Sequence, residues 1–123
     1  MNILLWVVQW MCTLTFGMAG GMKVVRSKAS LEPVMGWVHD IPEYQIRLLG
    51  VCEIAVALGC VLPGITHIAQ FLTPVAAGGG VAIMVGAVIV HIRRHEMKEL
   101  LMPVILGLLF GIVLVGRSIL PLP

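Results

Sequence analysis

From Asn2 to Met22 the sequence runs without an acidic or basic residue, and three further apolar stretches follow at about 44–62, 71–92 and 100–117. Such runs leave a chain few ways to fold. Backbone N–H and C=O groups placed in hydrocarbon must be satisfied within their own segment, so each run is expected to be a helix. At ~1.5 Å of rise per residue, each covers most of a hydrocarbon layer ~30 Å thick. The expected fold is all-α: a four-helix transmembrane bundle forming one domain over residues 1–123. Its first span is placed at about 3–22, and a short interfacial helix is expected between the first and second spans. Hydrophobic residues make up 59% of the chain and charged residues 11%. A soluble domain carries roughly 25% charged residues, so the lipid bilayer is the first expected partner. A net charge of +2 with no basic cluster excludes nucleic acid.

Local signals refine this plan. The first span lacks the basic leader of a secretory signal and has the length of a full span. Gln9, Thr13, Gly17 and Gly20 form its small or polar face, and the Gly17–Gly21 spacing suits close helix contact. Leu31, Val34, Met35 and Val38 recur at helical intervals, which predicts an amphipathic helix with Ser30 as its N-cap and Pro33 in its first turn. Trp6, Trp10 and Trp37 are expected at headgroup level. Pro63-Gly64 is expected to end the second span, and Pro74 is tolerable in the first turn of the third. Lys23, Arg26, Lys28, Arg47, Arg93, Arg94 and Lys98 all fall at the first and third connections. The positive-inside rule therefore places the loops at 23–43 and 93–99 in the cytoplasm and both termini outside; the membrane itself is expected, apart from that rule, to be a bacterial-type inner or plasma membrane.

One carboxylate interrupts the second span. Ile46, Gly50, Glu53, Ala57 and Cys60 share a helical stripe, and an acid at that depth must face protein or a wet cavity and find a partner. Lys23, Arg47, His91 and Arg94 lie at the same end of their helices. Gly80, Met84, Ala87, His91 and Arg94 form the polar-to-small stripe of the third span. An acid faced by several cations is either a ligand pocket or a structural ion pair that sets helix register. His91, His95 and Glu99 share a face, but residues eight apart are ~12 Å apart along a helix and cannot close on one ion, so no metal is expected. Cys12, Cys52 and Cys60 contain no Cys-x-x-Cys pair and read as small buried hydrophobes, and the eight methionines as packing.

Ala19-Gly-Gly-Met-Lys23, Arg47-Leu-Leu-Gly-Val-Cys-Glu53 and Leu62-Pro63 resemble the DoxX-like membrane proteins. So do Thr73-Pro74, Met84-Val-Gly-Ala87, His91-Ile-Arg-Arg94 and Gly116-Arg117. The resemblance implies a four-helix bundle and an association with redox work, since relatives include a subunit of a thiosulfate:quinone oxidoreductase and a membrane partner in oxidative-stress complexes. It also implies Lys23, Arg47, Glu53, His91, Arg94 and Arg117 as pocket positions, with Met84 beside them. Three functions follow as expectations. The first is a small redox-associated subunit binding a quinone or other lipophile, with enzyme status open and no cofactor motif evident. The second is a scaffold or assembly factor for other membrane or redox proteins, or a homo-oligomer. The third is a small proton or solute transporter.

Overall fold

The computed structural model describes residues 2–121. It contains α1 (Asn2–Val25), a single-turn α2 (Lys28–Leu31), α3 (Glu43–Thr66), α4 (Leu72–Arg93) and α5 (Leu101–Ile119). Among the described residues no strand occurs, and four helices are long and apolar enough to cross a membrane. Around the bundle α1 lies against α3, α3 against α4 and α4 against α5, and α5 closes the ring on α1. This is an up-down-up-down arrangement of antiparallel chain neighbours, with short connections from α3 to α4 and from α4 to α5 and a longer one, residues 26–42, from α1 to α3.

Large apolar side chains cover the outside: Ile3, Leu14, Met18, Leu48, Val75, Val85, Leu108 and Val115 are all exposed. Lipid is as apolar as leucine, so burial of such residues does little to hold these helices together, and close packing and interhelical hydrogen bonds carry the association. The interior accordingly mixes small and polar residues around an edge-to-face pair, Phe16 and Phe110, with ring centroids 4.6 Å apart. Gly20 and Gly50 let α1 and α3 approach until a Cβ on either would lie 2.7 Å from the other's carbonyl oxygen. The predicted Gly17–Gly21 contact is not the one used: a Cβ at either position would meet nothing within 4 Å.

Pro63 does not end the second long helix, which continues through it to Thr66, where His67 adopts the left-handed conformation (φ 59°). The reason is visible one turn back. Proline cannot donate to the carbonyl of Gly59, and that carbonyl instead accepts a hydrogen bond at 3.1 Å from Oγ1 of the fully buried Thr73 on α4. Gln9 and Thr13 of α1 bond two neighbouring carbonyls, those of Cys60 (2.6 Å) and Ala57 (2.8 Å). Thr73→Val should therefore cost about 1 kcal/mol, because it strands a buried acceptor. Adding Pro63→Ala should recover that loss by restoring the helical donor, and thermal melts of the single and double variants would show it.

The connection between α1 and α3 also differs from the predicted single amphipathic helix. The N-cap is Ser27, one turn earlier than Ser30, and its side chain accepts from the Ser30 amide. Pro33 cannot continue the turn, so α2 stops at Leu31, and a separate 3₁₀ turn forms over Gly36–Asp40. Leu31 and Val38 still bury their side chains together with Ile46, and Met35 packs against them, whereas Val34 is exposed, so three of the four predicted apolar positions pack inward although no continuous helix carries them. Pro74 and Pro103 sit in the first turns of their helices, where their missing N–H groups would have no helical acceptor.

Candidate functional site

All five residues of the α3 stripe, Ile46, Gly50, Glu53, Ala57 and Cys60, are buried. Glu53 is 2% exposed, and its partner is Lys23 of α1, whose Nζ lies 2.7 Å from Oε1. The Gly20–Gly50 contact explains the pairing, since in these antiparallel helices each charged residue packs over the other helix's glycine: a Cβ on Gly50 would lie 2.8 Å from the Lys23 Cβ, and one on Gly20 3.1 Å from the Glu53 Cβ. Lys23 is itself buried, and its ammonium lies 5.7 Å from the ring centroid of Trp37, within cation–π range.

The pair is not sealed by packed side chains. Both residues line a cavity of about 430 Å³ in the half of the bundle nearest the α1–α3 and α4–α5 connections. Phe16 and Ala19 of α1, Leu49 of α3, Met84 and Ala87 of α4, and Leu106 of α5 supply an apolar lining. Met35, Trp37 and Ile41 close it from the connecting loop, so Trp37 is a wall of the cavity as well as a loop aromatic. Lys23, Glu53 and His91 are the charged or titratable residues of the lining.

His91 reaches outward as well as inward. Its Nδ1 lies 3.1 Å from Oε1 of Glu96, which also accepts from Arg94 Nε at 3.2 Å. A carboxylate only accepts, so in the neutral ring Nδ1 carries the proton and Nε2 is left as an acceptor. Arg94 in addition grips Asp40, tying the 3₁₀ turn to the end of α4. Desolvation pulls the Arg94 guanidinium down, but the hydrogen bonds and charges of Asp40 and Glu96 outweigh it and raise its pKa above the usual arginine value.

The site residues read from the sequence thus divide. Lys23, Glu53, Met84 and His91 meet in the cavity, while Arg94 stands behind it as a fastening for the loop. Arg47 points away, bonding Glu43 at 2.6 Å and the carbonyl of Val24, and it does not pair with Glu53. Arg117 lies in the opposite half of the bundle. There it is 3% exposed, donates from Nε to Gln9 Oε1 and from Nη1 to Asn2 Oδ1, both at 2.7 Å, and stacks 5.6 Å from the Trp6 ring. None of its partners among the described residues is a carboxylate, and its Nη2 has no hydrogen-bond partner among them.

Sequence reasoning passed over Trp37, Asp40, Glu96 and Gln9 as partners. For Gln9 a signal existed: an amide in mid-span with an arginine near the end of another span is a pair awaiting contact. For Asp40 and Glu96, in loops, nothing local marked them. Among the described residues no three His, Cys, Asp or Glu side chains gather as a metal would require, and His91 turns to Glu96, with His95 exposed.

A protein-family model described as the DoxX-like family matches residues 7–113, which include every residue lining the cavity. No curated protein and no solved structure matches the chain.

Proposed function

The chain belongs to the DoxX-like family, and on that footing we propose that this integral membrane protein is a small subunit of a membrane redox complex. In this reading it holds a quinone, or another lipophile with an oxygen-bearing head, between Lys23 and Glu53. The observation that carries the proposal is an ion pair buried in the bundle yet forming one wall of a cavity of about 430 Å³. Pockets for small molecules fall in the range of ~300–1,000 Å³, with apolar walls and a few convergent polar groups. A pair retained only to fix register needs no cavity beside it.

The chemistry suits such a head. An ammonium has three donors, and a ligand carbonyl can take one that Glu53 does not use. Glu53 accepts from a ligand hydroxyl, and His91 Nε2 offers a second acceptor. The part of this chain is to bind and orient the ligand and to exchange its protons, while the partner protein supplies the electron acceptor or donor. In lipid nanodiscs, a decyl-tailed benzoquinone should bind the wild type, and Lys23→Gln should weaken it at least ~10-fold, a loss of ~1.4 kcal/mol. A wild type that binds no such ligand, by titration or by mass analysis of co-purified lipid, would overturn the proposal.

The same reading places the cavity in the cytoplasmic half of a bacterial-type inner or plasma membrane, with both termini outside. The concentration of basic residues at the first and third connections supports it. Cysteines introduced at Ser27 or Ser30 should resist an impermeant thiol reagent applied from outside, and rapid labelling there would reverse the orientation.

A second reading, a scaffold for another membrane protein, has its own support. Gly17 and Gly21 stand four apart with open space at each Cβ, leaving a small-residue surface outside the bundle. A stoichiometric partner retained in mild detergent, with no bound lipophile, would favour it.

A further inference from the structure

We infer that the cavity continues into a tail-binding groove on the outer face between α4 and α5, so that its ligand is a two-part amphiphile entering sideways from the bilayer. This rests on the ligand-binding reading above and adds the route and the second half of the ligand. The groove has a volume of about 350 Å³ and is lined by Val81, Val85, Ile89, Val104, Gly107 and Leu108. It shares two further residues, Met84 and Pro103, with the cavity that holds Lys23 and Glu53. One wall therefore separates the two spaces, and both residues that form it are buried.

The chemistry changes sharply across that wall. On one side stand the ammonium, carboxylate and imidazole, and on the other the side chains are entirely aliphatic. Val85, Ile89, Val104 and Leu108 are exposed, so in a bilayer they meet hydrocarbon. A compact polar head seated at Lys23 and Glu53 places a hydrocarbon tail in the groove only by passing Met84 and Pro103. Proline is fixed, whereas methionine has three rotatable side-chain bonds and can swing aside. Met84 is the gate. An amphiphile dissolved in the membrane reaches the groove directly, without crossing the loop that Arg94 fastens through Asp40.

Gly107 gives access to the test, since a Cβ there would stand 3.4 Å from the Met84 Cβ, at ordinary contact distance. Gly107→Leu fills the groove next to the gate without touching the ion pair. Two probes are titrated into nanodiscs carrying wild type or variant: a tail-less methylated benzoquinone, and the same ring with a decyl tail. Comparing proteins for one probe cancels the partitioning of that probe into lipid. The expected result is at least ~10-fold weaker binding of the tailed probe to Gly107→Leu, with the tail-less probe changed less than ~2-fold. Val104→Trp, at an exposed position in the same groove, should do the same and guards against a folding defect at 107. Equal affinity of wild type and both variants for the tailed probe would overturn the groove while leaving the head site standing. Parallel loss of both probes would overturn it too, as damage to the head site. A wild type that binds neither ring removes the head site itself, and the groove falls with it.

Discussion

Glu53→Ala should destabilise the bundle by about 3–5 kcal/mol, the typical cost of stranding one member of a buried ion pair. The ammonium left behind is that of Lys23, 6% exposed and 2.7 Å from the carboxylate in the intact protein. Trp37 offers it a ring face, which replaces only part of the lost attraction. Glu53→Gln keeps the shape and an acceptor for the ammonium, so it should fall between wild type and alanine. Replacing both partners, with Lys23→Met and Glu53→Leu together, should recover most of the loss, because an apolar pair of similar volume carries no desolvation cost. Thermal melts in one detergent separate these cases. Two single variants that melt at or above the wild type would remove the pair from the centre of the fold.

Gly50→Val should be the next most damaging change. Its Cβ alone would stand 2.7 Å from the Gly20 carbonyl oxygen and 2.8 Å from the Lys23 Cβ. The first of these is backbone, so relief comes only by pushing α1 away from α3. Overpacking of that kind costs about 1–3 kcal/mol, and valine's second methyl places it at the upper end. The same displacement pulls Lys23 from Glu53, so ligand binding should fail along with stability. Gly17→Ala is the contrast, since its Cβ meets nothing within 4 Å. It should leave melting within about 0.5 kcal/mol of wild type, and a Gly50 variant equally mild would mean that α1 and α3 do not meet where the two glycines place them.

These two cases also show what could be read from the residues alone. The buried stripe on α3 was legible because an acid flanked at helical intervals by small residues can point only inward. Its partner was legible only in part: Arg47 lies six residues before Glu53 on the same helix, ~9 Å of rise away and on another face, whereas the reach of Lys23 depends on how far α1 slides along α3. Two glycines decide that, and neither advertises which glycine it will meet. The helix end at Pro63 was misjudged for a related reason: proline removes a donor locally, while the replacement comes from Thr73 on another helix. The apolar rhythm of the first connection was real, but Pro33 divides it into two turns. Asp40 and Glu96 became visible only once the ends of the helices were brought together around Arg94.

The chain Arg117–Gln9–Cys60 has a consequence for the order of assembly in the cell. Gln9 lies in the first helix, accepts from an arginine 108 residues later and donates to a carbonyl 51 residues later. During translation the first helix enters the membrane with its amide unmatched, and only arrival of α3 gives the amide nitrogen an acceptor. The oxygen waits for α5, and the same arginine then closes the ring of helices by joining the last of them to the first. A ribosome stalled between α4 and α5 would therefore leave a three-helix intermediate with one open seam. That seam closes only when α5 packs against α4 and α1.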